Sequence, residues 1–191
     1  MSLLIFLGLI AVAMLYLITI YNNLVQLKHN VTKSWSNIDV LLKQRHDELP
    51  KLVETCKQYM QFEQATLEKV MQARAGVASA RETKNIGALG AAETALRAGI
   101  GALVATVEAY PELKANENFQ FLIARITELE NSIADRREFY NETVNLNNVR
   151  IEQFPDVVIA RFFSFDAVQL LQFTANDRRD PDLSSLFASK S

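Results

Sequence analysis

The sequence is poor in residues that break helices or cross-link a chain. Its 191 residues include one cysteine, four prolines and six glycines. A single cysteine, Cys56, excludes a disulfide within the chain, so the cysteine content does not indicate the redox compartment. The low proline and glycine content favours long helices over a fold of strands and tight turns.

The sequence also lacks a block of charges of one sign. Its 20 basic and 22 acidic residues are interspersed and give a net charge of −2. A protein that binds nucleic acid usually concentrates lysine and arginine on one face. The mixed charge therefore predicts that the chain has no nucleic-acid partner.

Signatures of catalysis and of cofactor binding are missing from the sequence. It contains no G-x-S-x-G motif, no P-loop and no dinucleotide-binding motif. The only histidines, His29 and His46, lie seventeen residues apart on one predicted helix, too far apart to form a metal pair. Cys56 lies on an apolar helical face, where a lone cysteine usually serves as a small hydrophobe. We therefore predict a protein that is not an enzyme and that holds no metal or cofactor.

Residues 1–21 carry no charged side chain. From Leu3 to Tyr21 every residue except Gly8 and Thr19 is apolar or aromatic. Nineteen helical residues span roughly 28 Å, enough to cross the hydrocarbon of a bilayer. A cleavable signal peptide would show a positive start, a shorter apolar run and a small-x-small cleavage site. The pattern instead predicts a transmembrane anchor over residues 1–22, with Tyr21 at the membrane interface.

The basic residues that flank the predicted span lie on one side of it. Lys28 and Lys33 follow the span, and neither lysine nor arginine precedes it. The positive-inside bias therefore places the C-terminal domain in the cytoplasm.

After the span, apolar residues recur at three- and four-residue steps, which predicts amphipathic helices. Pro50 either begins a second helix or kinks a continuous one, because proline lacks a backbone N–H. We place the second segment at about residues 50–81 and the third at about 87–110. Glycines in the third segment, such as Gly99, predict close packing against a neighbouring helix.

A fourth helix is predicted to follow Asn116, which is a plausible N-cap. Its apolar register runs from Phe119 to Val144. On this register Arg136 falls where a core residue is expected. Arg136 is therefore predicted to form a buried ion pair or to face another subunit.

The segment from Phe154 to Phe173 is strongly apolar and precedes a polar tail. Asp156, Arg161 and Asp166 interrupt it, so it is not expected to span a bilayer. Three placements are open: it caps the bundle, it packs on another subunit, or it rests on the membrane surface.

A dense run of charges extends from Lys43 to Glu48. It is either a solvated helix face with local ion pairs or a surface for recognition. Together with three phenylalanines of the apolar segment, it supplies the residues of a possible interaction surface: Lys43, Arg45, His46, Asp47, Phe162, Phe163 and Phe165.

Several stretches resemble the LemA family: residues 23–25, 35–40, 43–55, 110–119 and 154–155. The most specific is Tyr-Pro-Glu-Leu-Lys-Ala-Asn-Glu-Asn-Phe at 110–119. The resemblance covers roughly residues 1–165, and residues 166–191 follow no recognised family pattern. It implies a bacterial membrane protein with an N-terminal span and an antiparallel helical bundle, in a family with no established enzymatic activity. A relative tied to magnetosome membrane formation suggests, by analogy, a role in membrane organisation.

We therefore predict an all-α protein in which one transmembrane helix continues into an elongated, antiparallel domain like a four-helix bundle. The expected parts are an anchor at 1–22, a bundle at 23–153, an apolar and aromatic segment at 154–174 and a polar tail at 175–191. The predicted function is a self-associating scaffold of the bacterial inner membrane. The alternative is an anchored adaptor that docks a soluble partner or a membrane protease. The expected partners are a second copy of the chain, the lipid bilayer and another membrane or soluble protein.

Overall fold

The computed structural model describes residues 1–172, and all regular structure in this part of the chain is helical. The all-α class is thereby confirmed, with four long helices and two short ones. The helices are α1 Ser2–Lys57, α2 Gln64–Glu82, α3 Ile86–Val107, α4 Pro111–Lys114, α5 Glu117–Glu152 and α6 Asp156–Phe162.

The first helix passes through Pro50 without ending. It continues to Lys57, so of the two alternatives predicted at Pro50 the continuous helix is the one observed. The second segment begins at Gln64 rather than near residue 50. A proline within a helix leaves the carbonyl four residues earlier without its usual donor. Here that carbonyl belongs to His46, and the Nε of Arg74 donates a hydrogen bond to it at 2.8 Å. A side chain of α2 thus replaces the missing backbone donor.

The described chain packs as two units. The first contains residues 1–38 and 134–170, and the second contains residues 39–133 with residues 171 and 172. The start of α1 and the later part of α5 belong to the first unit, whereas α2, α3 and α4 lie wholly in the second. The predicted polar tail and Phe173 lie outside the described residues.

The second unit is organised around buried apolar residues of α1, α2, α3 and α5. Close packing of α2 on α3 occurs at Gly99, where an added Cβ would lie 3.5 Å from Cγ2 of Val70. This is an ordinary van der Waals distance, so Gly99 lies at the contact between α2 and α3, but an alanine would also fit there. The apolar core of this unit includes Leu42, Leu49, Leu52, Met60, Val70, Leu89, Leu96, Leu103 and Ile126.

Two asparagines cap helices in the second unit. The side chain of Asn85 accepts a hydrogen bond from the backbone N–H of Ala88 at the start of α3. Asn116 accepts one from the backbone N–H of Phe119 at 3.0 Å, which confirms Asn116 as the predicted N-cap of α5. The amide of Asn116 also donates to the Tyr59 hydroxyl, so the cap is tied to the turn after α1.

The first unit has its own core where α1, α5 and α6 meet. This core consists of Ile20, Leu24, Ile151, Ile159 and Ala160, with Phe165 packed against it.

Further along α1 and α5, the Trp35 and Tyr140 rings meet edge to face with centroids 5.8 Å apart. The Tyr140 hydroxyl donates to the carbonyl of Gln169. The core register of α5 passes through Ile133 and Tyr140, and Arg136 is exposed. The predicted buried ion pair of Arg136 is therefore wrong. Residue 136 lies at the edge of the face that residues 133 and 140 share, about 50° from its middle, and its side chain reaches solvent.

Candidate functional site

Arg45 occupies a core position of α1. Leu24, Val31, Ile38, Arg45 and Leu52 are spaced by seven residues, and all five are buried. A side chain at this spacing stays on the face that packs against neighbouring helices. Arg45 is only 1% exposed, so its assignment to an interaction surface is wrong. The same seven-residue spacing that predicts the buried apolar residues of α1 also includes residue 45.

Two carboxylates from other helices receive the Arg45 guanidinium within the second unit. Its Nη2 donates to Oε1 of Glu93 on α3 at 2.5 Å. Its Nη1 donates to Oε1 of Glu130 on α5. The other oxygen of Glu130 accepts from Nε of Arg97 on α3 at 3.1 Å. The charge cluster Arg45, Glu93, Glu130 and Arg97 thus ties three helices together.

The charges of this cluster balance, with two guanidinium groups facing two carboxylates. Burial alone would lower the pKa of Arg45, but attraction to Glu93 and Glu130 offsets this and places the pKa above its ordinary value. Burial raises the pKa of Glu93, although Arg45 opposes the shift. Removing one partner of such a buried pair typically costs about 3–5 kcal/mol, because the other charge is left without compensation.

Chemically the cluster is suited to holding helices in register. A guanidinium stays protonated at any physiological pH and cannot serve as a general base. Both carboxylates accept a hydrogen bond from it through Oε1, while Oε2 of Glu93 is buried without a hydrogen-bond partner. The sequence carried a signal for Glu93 as well, because it fills the gap between Leu89 and Leu96 in the buried face of α3.

The other residues of the charged run lie at different depths. Lys43 and Asp47 are exposed, whereas His46 is half-buried. Burial, followed by the nearby charge of Arg74, lowers the pKa of His46 below 6.5. Lys43, His46 and Asp47 remain a predicted interaction surface, now without Arg45.

The three predicted phenylalanines lie at the end of α6, in the first unit. Phe162 is 80% exposed, Phe163 is half-exposed and Phe165 is partly buried. The Tyr21 ring of α1 lies 4.8 Å from the Phe163 ring and 5.9 Å from the Phe165 ring, centroid to centroid. The apolar segment therefore packs on α1 where the predicted span ends. Three placements were predicted for this segment. Packing on helices of its own chain is the one that agrees with its buried face.

A groove of about 660 Å³ opens in the second unit between the end of α1 and the start of α2. Its lining includes Val53, Met60, Leu67 and Met71, with Lys57 and Glu68 among the polar residues. Apolar grooves rich in methionine accept helices of varied sequence, because the methionine side chain adapts its shape. Half of the residues that line this groove are polar, so a segment bound there would need polar as well as apolar side chains. The sequence pattern did not predict the groove.

Two helices of the described chain are long and apolar enough to cross a membrane: α1 and α3. In α3, Glu93 and Arg97 belong to the buried charge cluster, which identifies α3 as a core helix of its unit. In α1, residues 2–19 are all exposed.

Within residues 1–172, histidine, cysteine and carboxylate side chains nowhere gather in a group of three that could hold a metal ion. Cys56 is fully buried, and burial raises the pKa of its thiol to about 12. A thiol in this state is a weak nucleophile, because the thiolate is the reactive form.

These features define a class of helical proteins in which an exposed apolar helix extends from a bundle held together by buried ion pairs. The LemA family model matches residues 34–184, and the chain belongs to the LemA family. The match extends past residue 165, so the expectation that the family pattern ends there is wrong.

Two relatives are similar over most of this chain: Magnetosome protein MamQ 1 and Magnetosome protein MamQ 2 of Paramagnetospirillum magneticum. Each is 25% identical over 175 residues, which cover 80% of this chain and 64% of the relative. The chain thus spans less than two thirds of the length of these relatives.

Proposed function

We propose that this protein is a non-enzymatic, single-pass membrane protein that self-associates as a scaffold in the bacterial inner membrane. The observation that carries the anchor is the exposure of residues 2–19 of α1 on all sides. An apolar helix with no buried face is stable in lipid and unfavourable in water. The same helix continues into the folded part of the chain without a break.

The orientation follows from the charges beyond the span. Lys28 and Lys33 are the first basic residues after it, which favours a cytoplasmic C-terminal domain. A fluorescent protein fused to the C-terminus is expected to fluoresce in cells, and alkaline phosphatase fused there is expected to be inactive. The reverse pair of results would contradict this orientation.

Self-association is supported by an apolar stripe on the exposed side of α5 in the first unit. The stripe consists of Phe139, Leu146 and Val149, which are 51%, 54% and 44% exposed. They are spaced by seven and three residues, the spacing of a coiled-coil seam, and the exposed Glu142 occupies the seam position between Phe139 and Leu146. A second copy of α5 packed along this stripe would remove all three side chains from water.

The magnetosome relatives add support of a weaker kind. Both are named as magnetosome proteins, which favours a role in membrane organisation by analogy. The sequence identity is 25%, so only the general class of role is transferred to this chain.

The test is the particle mass of the full-length protein in mild detergent, measured by light scattering with the detergent mass subtracted. The wild-type protein is expected to be a multimer. Leu146→Glu places a charge in the stripe and is expected to shift the mass toward the monomer. Asn145→Glu, also exposed on α5, is the matched control and is expected to leave the mass unchanged. A monomeric wild-type protein would contradict the proposal.

The second candidate function is an anchored adaptor, and the groove lined by Val53, Met60, Leu67 and Met71 favours it. An amphipathic helix of a partner would place its apolar face in this groove. Chemical crosslinking in membranes followed by mass spectrometry would then return one specific foreign protein. A charge at the buried Leu67 would also disturb folding. Met71 is half-buried at the edge of the groove, so Met71→Glu is the variant expected to abolish that crosslink. Crosslinks to the chain itself alone would contradict the adaptor.

A further inference from the structure

The short helix α6 carries apolar residues on two opposite faces. Ile159 and Ala160 are buried against Ile20 and Leu24 of α1. The other face presents Val158, which is 58% exposed, and Phe162, four residues later, which is 80% exposed. Packing within the chain accounts for the first face and leaves the second face in contact with the surroundings.

An exposed phenylalanine also lies in the turn before α6. Phe154 is 85% exposed and lies four residues before Val158. Phe163, at the end of the helix, is half-exposed as well. Four large apolar side chains within ten residues form a patch of a kind that marks an interaction surface when it is exposed on a folded protein. We refer to Phe154, Val158, Phe162 and Phe163 as the aromatic patch.

The position of the aromatic patch along α1 is fixed by its contacts. The Phe163 ring lies 4.8 Å from the Tyr21 ring, and Ile20 lies in the same small core as Ile159. Ile20 and Tyr21 are the last residues of the apolar run that we propose to cross the membrane. The patch therefore lies beside the turn of α1 at which the span leaves the hydrocarbon.

Two basic side chains lie near the aromatic patch, beside the end of the apolar run of α1. The Lys28 ammonium lies over the Phe165 ring, 5.9 Å from its centroid. Arg161 is exposed next to Phe162. Aromatic rings and basic side chains at one depth are typical of the headgroup zone, where the rings enter the acyl boundary and the cations meet phosphates.

We propose that the aromatic patch is a second membrane contact, inserted into the headgroup and acyl boundary of the leaflet from which α1 emerges. This inference rests on the proposed function, because it takes α1 to span the bilayer. The occupant of the outer face of α6 is phospholipid, and insertion on one side of α1 fixes the direction in which the first unit leaves the membrane.

The experiment uses tryptophan fluorescence of the full-length protein in vesicles of phosphatidylcholine and phosphatidylglycerol. Trp35 is the only tryptophan, so Trp35→Phe gives a background without tryptophan fluorescence. Single tryptophans are then introduced by Phe162→Trp in the patch, Tyr16→Trp in the span and Asn37→Trp at an exposed position of α1 beyond the span. Lipids brominated near the headgroup or near the chain end serve as quenchers, and aqueous iodide reports exposure to water.

The Phe162→Trp protein is expected to lose fluorescence with brominated lipid, more from shallow bromines than from deep ones. The Tyr16→Trp protein is expected to be quenched by the lipid as well, and the Asn37→Trp protein only by iodide. Quenching of Tyr16→Trp by lipid, with Phe162→Trp responding only to iodide, would overturn the inference and leave the anchor intact. A Phe162→Trp protein shielded from both quenchers would also overturn it, because protein would then cover the patch. A Tyr16→Trp protein without lipid quenching would overturn the proposed anchor, and the inference with it.

Discussion

At the scale of single residues, Arg45 links three helices of the described bundle. Its guanidinium holds Glu93 of α3 and Glu130 of α5 in one buried network. The sequence pattern contained this position, because residue 45 lies seven after Ile38 and seven before Leu52. A charged residue in a dense polar run suggests a solvated face, however, and periodicity does not reveal which acids on distant helices will neutralise it.

Arg45→Met is expected to destabilise the protein by about 3–5 kcal/mol, because it leaves Glu93 buried without a cation. Adding Glu93→Leu is expected to restore much of that loss, since an apolar pair of similar size needs no charge compensation. Denaturant unfolding of the full-length protein in detergent, followed by circular dichroism, measures both effects.

Lys43→Met is the matched control, because Lys43 is an exposed cation on the same helix and is expected to change stability by less than about 0.5 kcal/mol. Equal effects of the Arg45 and Lys43 substitutions would contradict the role assigned to the charge cluster.

His46 gives the protein a dependence on pH. Because burial and Arg74 lower its pKa in the folded state, the unfolded chain binds the proton more readily. The stability that neutral His46 permits is present above pH 6.5 and is lost as the pH falls below this value. The unfolding midpoint of the wild-type protein is therefore expected to fall more between pH 7 and about pH 5 than that of His46→Gln.

His29→Gln serves as the control for this titration, since His29 is exposed on the same helix. It is expected to retain the wild-type dependence on pH. A wild-type slope that survives His46→Gln would assign the dependence to another group.

At the scale of helices, the sequence predicted the number of long helices and the N-cap of α5 correctly. These features depend on local patterns: apolar spacing, Asn116 and the turn before it. The end of α1 was misplaced, because the local rule for Pro50 disfavours a helix interior. The compensation comes from Arg74, 28 residues away on α2, and a rule about neighbouring residues does not include such a donor.

This compensation predicts coupling between the two positions. Arg74→Ala leaves the His46 carbonyl without its donor and is expected to cost about 1–2 kcal/mol in the wild-type protein. In a Pro50→Ala background the backbone N–H of residue 50 can supply the donor, so Arg74→Ala is expected to cost clearly less. Unfolding free energies of the two single variants and the double variant measure the coupling. Additive effects would show that Arg74 stabilises the chain by another route.

At the scale of the whole molecule, the apolar start of α1 and the exposed stripe on α5 both point away from the chain's own cores. The sequence predicted the first of these, because nineteen uncharged residues in a row are long enough to span a bilayer. The stripe of Phe139, Leu146 and Val149 was not separable from core residues by spacing alone. Only the packed structure shows that Tyr140 and Val144 point inward and the stripe outward.

The central claim is that copies of this chain pair along α5 in the membrane, and disulfide crosslinking of Leu146→Cys in native membranes tests it most directly. Equivalent residues on a parallel coiled-coil seam come close enough for a disulfide. The native Cys56 can remain, because it is buried and its thiol pKa is about 12. We expect oxidation to give a dimer from Leu146→Cys and little from Asn145→Cys or the wild-type protein. Absence of a Leu146→Cys dimer, or equal dimer from Asn145→Cys, would contradict the claim.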